Sequence, residues 1–103
     1  AITESLYFGC PVFGTPYGSL SEIVTKDIGY LSASKKELVQ ALQNIPQYDR
    51  KRCHERVMDA FTATHMMQAY LQKYEMVLNG HTLNHHAPVL KEIQDEKFLP
   101  FGE

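Results

Sequence analysis

The sequence predicts a helix-rich α/β unit with about two short parallel strands, the later portion of a larger doubly wound domain. Three observations lead there. Short apolar runs at residues 10–14 and 28–31 stand between segments of helical period. Helix and strand alternate in order, which is the grammar of a parallel sheet. Only two strands emerge from 103 residues, and a parallel pair alone keeps an open edge and uncovered apolar faces. The remaining strands are therefore expected ahead of Ala1.

The elements follow in order. Residues 1–8 form the end of a helix: Ile2 and Leu6 lie four apart, and Gly9 stands where a glycine cap belongs. Residues 10–14, Cys-Pro-Val-Phe-Gly, read as a fully buried strand with Pro11 at its first position, since proline cannot donate to a ladder. Thr15-Pro16-Tyr17-Gly18 is turn chemistry. Ser19 and Glu22 have the spacing of a capping box opening a short helix through Val24 or Thr25. Residues 27–31 give a turn and a strand of two or three residues. Ser34 and Glu37 form a second capping box, for a helix with Leu38, Leu42 and Ile45 on its apolar face and Pro46 at its end.

Asp49 caps the next helix. There Cys53, Val57 and Phe61 recur at helical spacing, while Arg50, Lys51, Arg52 and Arg56 face water. Thr62 caps a longer helix to about Leu78, whose stripe of Met66, Tyr70, Tyr74 and Val77, widened by Met67, Leu71 and Leu78, reads as core. Asn79-Gly80 stops it. Two domains of organisation result: residues 1–80, and a tail over residues 81–103. In the tail Pro88 opens a weakly amphipathic segment, and apolar Phe98, Leu99 and Phe101 need something to pack on.

Composition narrows the function. A formal net charge of −2, with 44% hydrophobic and 21% charged residues, is that of an ordinary globular chain with no basic face, which argues against a nucleic-acid partner. No apolar run approaches the roughly 20 residues that cross a bilayer. Cys10 and Cys53 lack metal-ligand spacing and are read as reduced thiols of a cytoplasmic protein. His81, His85 and His86 have no carboxylate or thiol at ligand distance in sequence, so no metal site is assigned.

Glu4-Ser5-Leu6-Tyr7-Phe8-Gly9-Cys10-Pro11-Val12, followed by Gly14-Thr15-Pro16-Tyr17-Gly18-Ser19-Leu20-Ser21-Glu22-Ile23-Val24, resembles the family-four retaining glycosyltransferases. Their pattern runs E-A-x-A-x-G-x-P-V, a short strand, then T-x-x-G-G-x-x-E-I-V. Gly29-Tyr30-Leu31 looks like their G-[FY]-L turn, and Phe61-Thr62 with Met66, Tyr70 and Tyr74 looks like their closing helix. The resemblance spans about residues 1–78. Two departures matter: Ser19 replaces the second glycine, and Ser5 the small residue after the glutamate.

The resemblance implies a GT-B enzyme, of which this chain is the C-terminal part of a Rossmann-like donor-binding domain. It implies transfer of a sugar from a nucleotide-sugar donor to an acceptor hydroxyl, with retention and without a metal or other cofactor. Glu4 would contact the nucleotide ribose, and Gly14, Thr15, Gly18 and Ser19 would form a donor-site loop. No catalytic residue is assigned within the chain. The companion glutamate of the family motif would fall four positions before Ala1. The expected partners are the donor, the missing N-terminal domain and, through the open edge, a second copy. The isolated chain is expected to be inactive. An alternative from another class is a non-enzymatic helical interaction module with an inherited fold. From the residues alone, Gly14 and Gly18 are first of all turn glycines, and Glu22 a capping acid.

Overall fold

The structure, a computed structural model, describes residues 1–93, 95, 96 and 98–103. Helix α1 (Ile2–Tyr7) stops as its glycine requires. Gly9 takes φ +78°, a conformation that suits glycine alone among ordinary residues. Its amide donates to the Leu6 carbonyl at 2.9 Å and the Cys10 amide to the Ser5 carbonyl at 3.0 Å, the paired bonds of a Schellman stop. The chain then reverses into β1 (Val12–Gly14), immediately after Pro11.

A single helical turn, α2 (Leu20–Ile23), leads to β2 (Gly29–Leu31). The strands are parallel, with Val12, Phe13 and Gly14 opposite Gly29, Tyr30 and Leu31. The ladder extends at both ends, through Val12 N–H to the Ile28 carbonyl at 3.1 Å and Ser32 N–H to the Gly14 carbonyl at 2.9 Å. Helix α3 (Lys35–Gln43), a 3-10 turn (Ile45–Gln47), α4 (Arg50–Ala60) and α5 (Ala63–Leu78) follow. The result is a helix-rich α/β unit with a two-stranded parallel sheet.

The chain divides into two compact units, Ala1–Phe61 with Pro100–Glu103, and Thr62–Leu99. The first has a continuous core of Leu6, Val24, Ile28, Cys53 and Val57, with Ile2, Val12, Leu20, Ile23, Leu31 and Phe61 packed against it. Leu6 and Ile28 are wholly buried, each removing apolar surface worth about 1.5–3 kcal/mol. Phe13 meets the buried Tyr48 edge-on, with ring centroids 5.3 Å apart. The second unit consists of α5 and a segment that, after Gly80, follows turns and bends in its described residues. Gly80, at φ +85°, ends α5 with another Schellman pair, Gly80 N–H to the Val77 carbonyl and His81 N–H to the Met76 carbonyl, each at 3.0 Å.

Several expectations are corrected. β1 is half-buried along its length rather than fully buried, because a single neighbouring strand covers only part of it. Ser19 lies in the helical region (φ −78°, ψ 0°), so its hydroxyl does not cap α2. The Glu22 amide instead donates to the Ser19 carbonyl at 3.0 Å, and the reciprocal bond expected of Glu22 does not form. Only half of the second box forms as expected. The Ser34 hydroxyl accepts the Glu37 amide at 3.4 Å, but the Glu37 carboxylate accepts from the Ser32 hydroxyl, which in turn accepts the Ser34 amide at 2.9 Å.

On α3 the inward face is Ala41 with half-buried Leu38, whereas Leu42 and Ile45 are exposed. The helix ends at Gln43, and Pro46 falls inside the 3-10 turn that follows. On α5 the stripe read as core is exposed throughout, from 51% at Met67 to 85% at Leu78. Cys53 is buried as expected, but Cys10 is exposed; both are free thiols.

Candidate functional site

In an open parallel sheet, ligands settle in the crevice outside the carboxyl ends of the strands. At that edge here β1 ends in Gly14 and gives way to the 14–19 loop, while β2 ends in Leu31 and gives way to Ser32 and the start of α3. The Ser32–Gly14 backbone bond ties these two exits together. Glu4 lies in the first turn of α1, the helix that precedes β1.

Glu4 has a side chain 80% exposed, with its carboxylate 3.5 Å from the Ala1 amino group. It is engaged by no interior group and is open to a ligand. In the loop Gly18 takes φ +63° with nothing near the space a Cβ would fill, so it serves the turn rather than a close approach. Gly14 has ordinary contacts to Leu20 and Leu31. Thr15 is half-buried and Ser19 exposed. Helix α2, at one turn, offers little of the dipole that a longer helix points at an anion. A shallow open cleft of 460 Å³ runs beside the loop, lined by Pro16, Ser21, Thr25, Lys26 and Tyr30 among others, but not by Glu4, Gly18 or Ser19. None of the sequence-predicted residues Glu4, Gly14, Thr15, Gly18 and Ser19 lines this cleft.

The same edge carries a feature with no local signature in the sequence. Gly102 forms a parallel bridge with Ser34: its amide donates to the Ala33 carbonyl at 2.9 Å, and its carbonyl accepts the Lys35 amide. The Tyr17 hydroxyl, in the loop, donates to the Pro100 carbonyl. The chain's last residues therefore satisfy an amide at the start of α3 and hold the 14–19 loop.

Helix α4 reaches the carbonyl ends of the short helices that precede the strands. Arg56, expected to face water, is half-buried there, while Arg50, exposed as expected, also donates to carbonyls after α1. Arg50 Nε donates to the Gly9 carbonyl at 3.1 Å, and Arg50 Nη2 to the Phe8 carbonyl at 3.5 Å. His54, one turn on, is 2.7 Å from the Tyr7 carbonyl through Nδ1, which must carry the proton to donate there. Arg56 donates from Nε to the Ile23 carbonyl at 3.2 Å and from Nη2 to the Glu22 carbonyl at 2.9 Å, and its guanidinium lies 5.1 Å from the Phe61 ring centroid. Cationic donors are thus placed where helix dipoles are negative and carbonyls lack partners. Arg50 and His54 thereby tie the end of α1 to α4.

A smaller network braces the turn before β2. Thr25 hydrogen-bonds Asp27 and holds its carboxyl below the ordinary aspartate value, with Arg52 contributing from 3.4 Å. Arg52 also pairs with Glu55 at 2.9 Å, which lowers the Glu55 carboxyl and raises the arginine. Burial pushes the Cys53 thiol up. Among the described residues, no group of three or more His, Cys, Asp or Glu side chains is placed to hold a metal, and no helix is long and apolar enough to cross a membrane. Comparison with protein-family models, curated proteins and solved structures finds no significant match.

Proposed function

We propose that this chain is part of the donor-binding domain of a retaining glycosyltransferase and supplies part of its nucleotide site. One observation supports the reading: a helix bearing an exposed glutamate, a glycine stop, a short parallel strand and a glycine turn occur in the motif order. In this Rossmann-like, GT-B reading, Glu4 accepts hydrogen bonds from both vicinal ribose hydroxyls, the task an acidic residue performs in dinucleotide folds. The loop at Gly14, Thr15, Gly18 and Ser19 stands beside the nucleotide. In the complete enzyme, the anomeric carbon–oxygen bond to the diphosphate breaks and the acceptor oxygen bonds to that carbon on the same face. The acceptor's proton leaves with the diphosphate. Stabilising the charge of that leaving group is the main catalytic task, and the residues for it lie outside this chain.

The isolated chain then binds nucleotide weakly and transfers nothing. The reading needs no cofactor, and it places the intact enzyme in the cytoplasm, peripheral to a membrane. Ligand-observed saturation transfer tests it. UDP, ADP or GDP should give a signal that the matching 2′,3′-dideoxynucleotide loses; equal signals from both forms would remove the ribose contact. A second reading, a non-enzymatic helical interaction module, is favoured by the exposed apolar face of α5. It predicts association of the chain and no nucleotide signal at all.

A further inference from the structure

Helix α5 is 16 residues long, about 24 Å, and none of its residues is buried. Its apolar side chains nevertheless fall on one face. Met67, Tyr70, Tyr74 and Val77 follow the three-four spacing of a two-helix seam, flanked by Met66 and Leu78. All six are more than half exposed. Together they form one contiguous apolar strip along the helix, the kind of exposed patch that marks an interaction surface.

The order of residues on this face points to its occupant. A two-fold axis at the level of Gln72 sets Met67 against Val77 of an antiparallel copy and Tyr70 against Tyr74. Each of these seam side chains meets another of apolar character, and the contact of Tyr70 with Tyr74 within one helix, at 6.2 Å between centroids, continues across the axis. The helix carries two charges only, Lys73 and Glu75, and neither falls at a seam position. A self-complementary patch of this kind is what a closed two-fold dimer needs. We propose that two copies of this chain pair antiparallel through α5, with Tyr70 of one copy packed on Tyr74 of the other. The pairing does not depend on the nucleotide reading.

Sedimentation equilibrium of the full 103-residue chain should give twice its 11.8 kDa mass. Tyr70→Glu should weaken association by at least about 30-fold, as loss of a central aromatic anchor does, with far-UV circular dichroism unchanged. Gln68→Glu, off the seam, should leave it intact. Orientation is read in a Cys10→Ser background: Met67→Cys and Val77→Cys chains should form a disulfide when mixed and none when each is oxidised alone. A chain that stays monomeric overturns the proposal and leaves the face to a different chain or to further residues of a longer polypeptide. A dimer that survives Tyr70→Glu overturns it in favour of the sheet edge. Disulfides within either single variant overturn the antiparallel arrangement. Should Tyr70→Glu unfold the chain, the disulfide pattern decides alone.

Discussion

Replacing Arg56 by methionine should destabilise the first unit by about 2–3 kcal/mol, several times the effect of the same change at Arg52, four residues away on the same helix. Arg56 is half-buried and donates to two carbonyls at the end of α2, at 3.2 and 2.9 Å, with its guanidinium 5.1 Å from the Phe61 ring centroid. A hydrogen bond from a charged donor contributes about 1.5–3 kcal/mol, but exposure of one of the two bonds reduces the pair to the lower part of that range. The ring contact adds about 0.5–1 kcal/mol. Methionine keeps most of the stem packing, so the loss reports the charged head. Arg52 pairs instead with two side-chain carboxylates near the surface, at 3.4 and 2.9 Å, where solvent screening leaves little net stability. Urea denaturation followed by circular dichroism, with equal slopes required for the comparison, measures both. Equal losses at the two positions, or a loss at Arg56 below about 1 kcal/mol, would refute the assignment of Arg56 as the anchor of α2.

Further outcomes follow from single positions. Gly29→Ala should cost about 3 kcal/mol or prevent folding, because its Cβ would sit 2.0 Å from the Val12 carbonyl oxygen and 2.8 Å from Val24; Gly18→Ala, strained only by its φ of +63°, should cost about 1–2 kcal/mol in the same denaturation assay. Iodoacetamide should label Cys10 in the folded chain and spare Cys53 until denaturant is added, because Cys53 is buried and its thiol is raised above 9.0. By the same shift the unfolded thiol ionises first, so alkaline pH above that value should favour unfolding, an effect Cys53→Ala removes. The Asp27 carboxyl is lowered in the folded state, so its contribution is present above the ordinary value of 3.8 and lost as pH falls through the lower folded value. Asp27→Asn should therefore flatten the acid limb of a stability–pH profile; being largely exposed, the effect is small.

Local signals were legible in the sequence and long-range ones were not. Gly9, Gly80, Ser34, Asp49 and Thr62 each act within five residues of chain, and each stops or starts the helix that its chemistry predicts. Ser19 fails as a cap because one turn of helix leaves its own backbone helical, and the spacing to Glu22 does not reveal that. Arg50 and Arg56 read as solvent-facing because their acceptors lie 33 to 42 residues away in the chain. Nothing local tells an arginine at a helix-facing carbonyl from one in water. The bridge between Gly102 and Ser34 spans the whole sheet unit and carries no side-chain signature, since its bonds are backbone to backbone. In α5 the apolar period marks a face to be covered; it does not say that the cover lies outside the chain. At the candidate site, Glu4 and the 14–19 loop are proposed from motif order, whereas the strap over that loop from Tyr17 to Pro100 has no local signature.

The central claim, that the carboxyl edge of this sheet receives a nucleotide through Glu4, is tested most directly by an amide chemical-shift titration of the 103-residue chain with a nucleoside diphosphate at millimolar concentration. The account predicts weak, saturable shifts confined to Glu4 and its neighbours and to residues 14–19, absent in Glu4→Gln, with no turnover of the corresponding nucleotide sugar. Shifts centred elsewhere, shifts unchanged by Glu4→Gln, or none up to the solubility of the nucleotide would contradict it.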